Sequence, residues 1–394
     1  FKSVMHVKPG TFLEISTTNL SIKETRYWEI ANSSESEYSE NDAIERIDTV
    51  LNSAIDIRLR SDVDIAAFLS GGLDSSLVCA MTKQNFNVNL NTFSIGFPEK
   101  RFDESAWAQK VANLNHLSNQ TRVLDEDIIS MWEKTTWFND QPHGDISFIP
   151  TFYLSQFASE EYKVVFTGDG GDEFCAGYEK YFSLFESKNI GEYFNNISLV
   201  KDDKIFNKLY TNDFFDDINL DEPKNIFENC INEISKKDDI NKILFFDVKH
   251  LLPGNNLVKP DKMAMANSLE TRSPMLDYRF LELMQDIKGS MKLKQGDTKH
   301  ILKKFAKKYL PEDVIYRKKQ MFTVPVGEWF KDKLRDYLTE IICSESLASR
   351  KIFNTEYLKE ILDLHISGNR DFTRELRAIV NLEIWFRLYV DEKS

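Results

Sequence analysis

The sequence predicts an α/β protein with a parallel sheet and a largely helical C-terminal half. In the first half of the chain, three short apolar runs alternate with helical patterns. Strands that alternate with helices are typical of parallel sheets, because each crossover passes through a helix. After Tyr181 the strand signal fades, and residues 182–394 show mainly helical patterns. Ligands of such sheets bind beyond the carboxyl ends of the strands, so the loops there are the first candidates for a functional site.

The order of the elements follows from periodicity. Residues 1–40 show a turn, two extended pieces and a Ser- and Glu-rich linker, and they predict no core of their own. Apolar residues three or four apart predict a helix from about 41 to 60. The remaining elements of the first half are strands over 63–69, 90–97 and 162–167, and helices beginning near 103, 126 and 149.

Composition excludes several classes of protein. The 394 residues are enough for a large core, and the 42% hydrophobic and 29% charged residues are an ordinary globular mixture. A net charge of −13 argues against a general binder of nucleic acid or of membrane surfaces. The four cysteines lie far apart in the sequence, a spacing that is typical of neither a zinc site nor a disulfide framework. We therefore expect a reducing compartment, with the cytoplasm as the default. The first residue is Phe1, so we expect the chain to begin inside a longer protein.

The most informative stretch is Phe68–Leu77, which reads F-L-S-G-G-L-D-S-S-L. It follows a buried strand and precedes an apolar helix face. The glycines allow close backbone approach, and a helix start directs free N–H groups and its positive end at an anion. The stretch therefore predicts a phosphate site, with an ordinary strand-to-helix turn as the alternative. The groups expected to bind phosphate are Ser70, Gly71, Gly72, Ser75 and Ser76.

Asp74 is unexpected within a phosphate site. A carboxylate repels phosphate unless a cation lies between them, and Mg²⁺ is the hard, oxygen-liganded cation that fits. The loop lacks the G-K-[ST] of a Walker A motif, and its glycine spacing differs from the dinucleotide fingerprint.

A second acidic loop follows the third predicted strand. Residues Thr167–Glu173 read T-G-D-G-G-D-E, a composition that is poor for either strand or helix. The glycines suggest close approach to a ligand, and the acids suggest a metal site or a group that holds an amine or water. An acidic surface turn is the alternative. We favour metal binding shared by Asp74 and Asp172.

The third motif is Leu257–Asp277. Lys262, Ala266, Leu269 and Ser273 follow helical steps, which predicts an amphipathic helix that ends before a proline. Solvated charges on such a helix are the alternative to a functional role.

The fourth motif is Tyr316–Pro325, which carries three consecutive cations beside a Met-Phe pair. In an acidic protein such a cluster could face a polyphosphate, and a solvated basic turn is the alternative.

Together the four motifs resemble the synthetase domain of glutamine-dependent asparagine synthetases. They are F-x-x-S-G-G-L-D-S-S, G-D-G-G-D-E, D-K-M-x-M-x-x-S-L-E-x-R-x-P-x-L-D and R-K-K-x-x-F-x-x-P, in that order. The resemblance covers residues 41–390 and implies a fold of the ATP-pyrophosphatase (adenine nucleotide α-hydrolase-like) type. It assigns residues 41–394 to a synthetase domain and residues 1–40 to the end of an amidotransferase domain and its linker.

The resemblance also implies a reaction. The side-chain carboxylate of aspartate would attack the α-phosphate of ATP with Mg²⁺ as cofactor, pyrophosphate would leave, and ammonia would displace AMP. In the family, ammonia comes from glutamine through an amidotransferase domain whose nucleophile is an N-terminal cysteine. Phe1 cannot replace that cysteine, so this chain is expected to use free ammonia. Nucleic acid and membrane are not expected partners, and a homodimer stays open.

Site residues follow by motif. Asp74 and Asp172 would bind Mg²⁺. The residues that would hold pyrophosphate are Ser70, Gly71, Gly72, Asp74, Ser75 and Ser76. Lys262 and Lys319 would neutralise phosphate charge. The residues implied on the nucleotide side are Leu69, Ile95, Asp103 and Gly168. Those implied near the amino acid or ammonia are Asp169 and Glu270, and Arg272 would brace Glu270.

Two departures put the acceptor acid in doubt. Dedicated asparagine synthetases have Glu where Asp169 stands and Arg near the position of Pro150. An amide ligase acting on another carboxylate, such as a sugar uronate or a ring-closing substrate, is therefore the second hypothesis. A binding protein that has lost catalysis is the third, and the retained acids and lysines argue against it. A pyrophosphatase-loop enzyme that modifies tRNA or nucleotides is less favoured still, given the charge.

Overall fold

The structure is a computed structural model that describes residues 4–124, 127–187, 190–197, 203–216, 218–219, 221–318 and 324–391. Its seven strands in these ranges are β1 Thr11–Ile15, β2 Ile22–Arg26, β3 Ile65–Phe68, β4 Asn91–Gly96, β5 Ser118–Val123, β6 Val164–Phe166 and β7 Glu270–Arg272. The helices of the first half are α1 Glu40–Arg58, α2 Leu73–Phe86, α3 Ser105–Leu114, α4 Ile128–Asn139, α5 Phe148–Ser159 and α6 Gly171–Cys175.

The second half is almost entirely helical, as predicted. Its α-helices are α7 Ser183–Ser187, α8 Ile190–Ile197, α9 Asp203–Leu209, α10 Asn212–Asp216, α11 Glu222–Glu233, α12 Asp239–Phe246, α13 Val258–Met265, α14 Tyr278–Asp286, α15 Gly289–Lys292, α16 His300–Ala306, α17 Glu312–Ile315, α18 Val326–Trp329, α19 Arg335–Ile342, α20 Glu345–Ser349, α21 Thr355–Ile366 and α22 Thr373–Tyr389. Two 3₁₀ turns, Glu179–Phe182 and Pro274–Leu276, and a π-helix, Asp247–Asn256, complete it.

Five strands form one parallel sheet in the order β5-β4-β3-β6-β7. The α/β class with a parallel sheet is therefore confirmed. From β3 the chain first moves outward to β4 and β5, then returns to place β6 on the other side of β3. The point at which strand order reverses thus lies between β3 and β6, and ligands of open α/β sheets bind in the crevice there.

The core occupies both faces of the sheet, because successive side chains of a strand point to opposite sides. Ala66 of β3 packs with the helices α4 and α5 and with the C-terminal helices. Its neighbours Ile65 and Ala67 pack on the other face with α1, α2 and α16. Burial on both faces explains why β3 is a continuous apolar run.

Two strands escaped sequence prediction. β5 is an edge strand with the sequence S-N-Q-T-R-V, which lacks an apolar run because much of it faces solvent. The helix predicted through Leu269 and Ser273 was wrong beyond α13. Ser268 adopts a positive φ of 54°, which ends the helical path, and Glu270–Arg272 then pair with β6 as β7.

The N-terminal segment forms the antiparallel hairpin β1–β2, whose Phe12, Ile15 and Ile22 are exposed. The linker after it is attached to α14. Ser36 and Tyr38 donate hydrogen bonds to Asp286 at 2.6 and 2.9 Å. Within the described ranges, no helix combines the length and the apolar character needed to cross a bilayer.

Candidate active site

The two loops singled out in the sequence lie next to each other at the reversal of strand order. The first loop, 69–72, follows β3 and leads into α2, and the second, 167–170, follows β6 and leads into α6. β3 and β6 are hydrogen-bonded neighbours, with Ala67 opposite Phe166. The loops therefore leave adjacent strands at the same edge of the sheet.

The hydroxyl groups of the first loop are organised around its backbone. The amide of Gly72 donates to Ser70 Oγ at 3.1 Å, and Ser70 and Ser75 place their Oγ atoms 3.2 Å apart. Ser70 and Ser75 are half-buried. Ser76 is fully buried, and its Oγ has no hydrogen-bond partner among the described residues. Two of the three predicted hydroxyls thus remain near the surface of the loop.

The glycines bring protein elements together more than the sequence suggested. Gly71 has a φ of +72°, and a Cβ there would lie 2.6 Å from the amide nitrogen of Ala108 in α3. A Cβ on Gly168 would lie 2.6 Å from the amide nitrogen of Ser75. A Cβ on Gly171 would lie 2.6 Å from Cγ of Asp74. These three glycines let α3 and the two loops pack against one another.

Asp74 and Asp172 converge, and a lysine lies between them; the metal they were predicted to share stays a prediction. Lys299 Nζ lies 2.7 Å from Asp172 Oδ1 and also contacts Asp74 Oδ2. The Lys299 side chain is only 6% exposed. Burial by itself would lower the pKa of Lys299, but the two carboxylates outweigh burial and hold that pKa above its ordinary value. The ammonium group is therefore charged at neutral pH.

Lys299 is the functional candidate that sequence reasoning missed. It precedes α16 with a φ of 52°, a left-handed conformation that is uncommon for lysine. In the sequence it stands in a lysine-rich stretch with no local signal. Only the acid pair elsewhere in the chain gives it a role.

The acid pair fits a hard divalent cation. Both carboxylates reach one common point, and oxygen ligands are those that Mg²⁺ prefers. Among the described residues no group of three or more acids, histidines or cysteines could enclose a metal. The arrangement therefore suits Mg²⁺ that takes further ligands from a bound phosphate, as nucleotide-dependent enzymes commonly arrange it.

The predicted nucleotide side lies at the end of β4. Leu69 and Ile95 are buried, and the Leu69 carbonyl accepts a hydrogen bond from Ser94 Oγ at 2.6 Å. Asp103 begins the turn into α3 and accepts from the Ser105 amide at 3.0 Å. An oxygen of Asp103 lies close above Gly96, the last residue of β4. These residues line the strand ends next to the first loop.

The cationic motif reaches the first loop through Arg317. Its guanidinium group pairs with Glu104, stacks over Trp107 and comes close to Gly72. The Arg317 side chain is largely buried, so this part of the cationic motif is not a solvated basic turn. Lys319 lies outside the described residues.

Asp169 lies half-buried in the second loop. Its backbone carbonyl accepts a hydrogen bond from Ser273 Oγ at 2.6 Å. Burial raises the pKa of Asp169 and Asp172 raises it further, whereas the Thr167 hydroxyl and the Lys259 ammonium lower it.

Three of the predicted site residues have described partners outside the two loops. Lys262 pairs with Asp140 at the end of α4. Glu270 pairs with Arg272 at 2.6 Å, and Arg272 also donates to the backbone carbonyls of residues 58 and 60, where α1 leads towards β3. The contact of Arg272 with Glu270 was expected. The roles of Glu270 at the substrate and of Lys262 at the phosphates stay predictions.

Comparisons with known proteins point to one family. A family model described as Asparagine synthase matches residues 46–387. Asparagine synthetase (glutamine-hydrolyzing) 1 of Bacillus subtilis is 28% identical over 386 residues, covering 90% of this chain and 61% of the relative. A putative asparagine synthetase (glutamine-hydrolyzing) of Mycobacterium bovis is 26% identical over 425 residues, covering 99% and 65%. Amidase chyE of Penicillium rubens is 23% identical, covering 89% and 62%. The chain thus spans somewhat less than two thirds of these relatives.

Proposed function

Because this chain belongs to the asparagine synthase family, we propose that it forms amides in an ATP-dependent reaction. The acceptor we favour is the side-chain carboxylate of aspartate. A carboxylate oxygen attacks the α-phosphorus, the bond from that phosphorus to the bridging oxygen breaks, and pyrophosphate leaves. Ammonia then attacks the acyl carbon, AMP leaves, and the nitrogen loses a proton to give asparagine.

One observation carries the proposal. Asp74, Asp172 and Lys299 meet between the two loops, at the reversal of strand order. A pair of carboxylates beside a helix start and hydroxyl groups is suited to a phosphate that carries a metal ion. A site for a bare anion would not contain two carboxylates, because they would repel the anion. The bound class we infer is therefore a nucleoside triphosphate.

The residues of the chain divide the work. The Gly72 end of α2 and the Ser70 and Ser75 hydroxyls orient phosphate oxygens. Asp74 and Asp172 would hold Mg²⁺, whose charge would stabilise the departing pyrophosphate. Lys299, already inside the site, and Lys319 of the cationic motif supply further positive charge where the leaving group develops negative charge.

The source of ammonia is a separate part of the proposal. Residues 1–40, with the hairpin β1–β2, would belong to an amidotransferase domain, and residues 41–394 would form the synthetase domain. With that domain attached, glutamine would supply ammonia, and this chain alone would use ammonium.

The four cysteines are free, which supports a reducing compartment such as the cytoplasm.

A second candidate is amidation of a different carboxylate. Pro150 lies buried in the first turn of α5, so that position cannot offer a cation to the leaving group. The relative named amidase chyE shows that proteins of similar sequence carry other names. Asp169 in place of Glu is the third reason to test other acids.

The experiment is acceptor-dependent exchange of radiolabelled pyrophosphate into ATP, with Mg²⁺. We expect exchange that requires aspartate and that Asp74→Ala abolishes. The matched control is Asp62→Ala, which removes an exposed carboxylate. Exchange with other acids alone would select the second candidate. ATP binding without exchange for any acid would refute adenylation.

A further inference from the structure

We propose that Arg377 binds the carboxylate of the acceptor acid that is not adenylated. Arg377 lies on α22, close enough to Asp145 for its charge to act on that carboxylate, and Asp145 pairs with Lys259. The inference rests on the proposed adenylation and makes it more specific, because it requires an acceptor with two carboxylates.

The ion pair is complete without a ligand. Lys259 Nζ lies 2.6 Å from Asp145 Oδ2 and donates to Ser147 Oγ at 2.9 Å. The other oxygen of Asp145 accepts from the Ser147 amide at 3.0 Å. Burial by itself would raise the pKa of Asp145, but Lys259, the Ser147 amide and Arg377 outweigh burial and hold it below its ordinary range. Asp145 is therefore ionised and offsets the charge of Lys259.

Arg377 is fixed next to this pair by its own helix. Asn381, one turn further along α22, donates to the His143 carbonyl at 2.6 Å. His143 in turn accepts from the Asp145 amide at 3.1 Å. These two contacts attach the Arg377 face of α22 to the segment that carries Asp145.

Arg377 is half-buried, and one nitrogen of its guanidinium group is buried without a partner among the described residues. Nε of Arg377 is buried and makes no hydrogen bond to any described residue. No described carboxylate lies within ion-pair distance of Arg377. An unpaired buried donor is costly, and this cost is removed when a ligand binds. Arginine presents a planar fork that matches a carboxylate with two parallel hydrogen bonds, so the ligand class is a carboxylate.

The position of the cluster connects it to the reaction. Lys259 lies close enough to Asp169 to lower its pKa, and Asp169 follows β6 in the second loop. Lys259 thus acts on Asp169 of the second loop and pairs with Asp145, and Arg377 acts on Asp145 in turn. A small acid that reaches from the α-phosphate towards Arg377 needs a carboxylate at each end, which aspartate has and a monocarboxylate lacks.

The test compares aspartate with β-alanine, which keeps the reacting carboxylate and lacks the other. Pyrophosphate exchange is measured for both acids with the wild type, Arg377→Gln and the control Arg335→Gln, an exposed arginine on α19. We expect Arg377→Gln to raise the KM for aspartate by about a hundredfold, since a charge-assisted pair is lost. The KM for ATP and the kcat/KM for β-alanine should stay unchanged. Arg377→Lys keeps the charge but not the planar fork, so we expect its KM for aspartate to lie between the values of the wild type and of Arg377→Gln. It also provides a variant that preserves the fold.

Each outcome bears on one proposal. Equal losses for aspartate and β-alanine, or no loss with aspartate, would overturn the role of Arg377. Wild-type exchange with monocarboxylates but not with dicarboxylates would overturn it too, while adenylation would stand. Absence of exchange with every acid, despite ATP binding, would refute the proposed function itself and the inference that rests on it.

Discussion

Replacing Lys299 by methionine tests the charge balance of the candidate active site. The change keeps most of the side-chain volume and removes the ammonium group between Asp74 and Asp172. Both acids are mostly buried, with 15% and 19% of their side chains exposed. We therefore expect the variant to be less stable without metal and to depend on Mg²⁺ more than the wild type does.

The magnitude follows from the geometry. Removing one partner of a buried ion pair costs about 3–5 kcal/mol, because the remaining charge is left without compensation. Here the ammonium group is shared by two carboxylates, so we expect a loss within that range when Mg²⁺ is absent. A divalent cation bound between them would return part of the loss, and binding at a hundred times Kd adds about 2.7 kcal/mol.

The assay is urea unfolding of the wild type and Lys299→Met, with EDTA and with Mg²⁺. Lys307→Met is the matched control, since Lys307 pairs with Glu312 in solvent and an exposed pair contributes about 0–1 kcal/mol. A loss below 1 kcal/mol for Lys299→Met would refute the assigned charge balance. An equal effect of Mg²⁺ on both proteins would refute metal binding at the acid pair.

Two further predictions concern packing and protonation. Gly168→Ala should reduce pyrophosphate exchange at least tenfold and lower stability by about 1–3 kcal/mol, because its Cβ would lie 2.6 Å from the Ser75 amide nitrogen. The control is Gly254→Ala, since Gly254 has open space around it. Equal losses of exchange and stability in the two variants would contradict this reasoning. Lys292 is fully buried with its pKa lowered to about 8, so the folded state loses this proton before the unfolded state does. The free energy of unfolding of the wild type, relative to Lys292→Met, should therefore rise above pH 8 by up to about 1.4 kcal/mol per pH unit. A flat difference between pH 8 and 10 would contradict this.

The central strands were predictable because burial on both faces leaves a continuous apolar run. β3 and β6 carry such a run and appear where expected. β4, N-T-F-S-I-G, also appears where expected, although it alternates apolar residues with polar ones that are themselves mostly buried. β5 and β7 lack it for different reasons. β5 is a half-exposed edge strand, and β7 has only three residues, which pair with β6 after the chain turns at Ser268. Strands of these kinds are specified by their partners more than by their own sequence.

The site shows a similar division. Asp74 and Asp172 could be paired from sequence, because both follow strands and strand ends of a parallel sheet share one edge. Lys299 could not, because it comes from a helical region whose packing position has no sequence period. Lys262 was assigned to the phosphates by resemblance to the family motif, and that role stays a prediction; its described partner is Asp140. Charged side chains that reach the site from outside the sheet can thus be identified only from the tertiary structure.

The glycines of the two loops lead to a final point about how the site is built. From the sequence, glycine next to acids suggested room for a ligand. In the structure, the missing Cβ atoms of Gly168 and Gly171 make room for the start of α2, including Asp74. Their smallness brings Asp74 towards Asp172, so that one cation can contact both. The same residues that make the loops poor strands and poor helices therefore set the distance between the acids, and a side chain there would separate the charges before it touched a ligand.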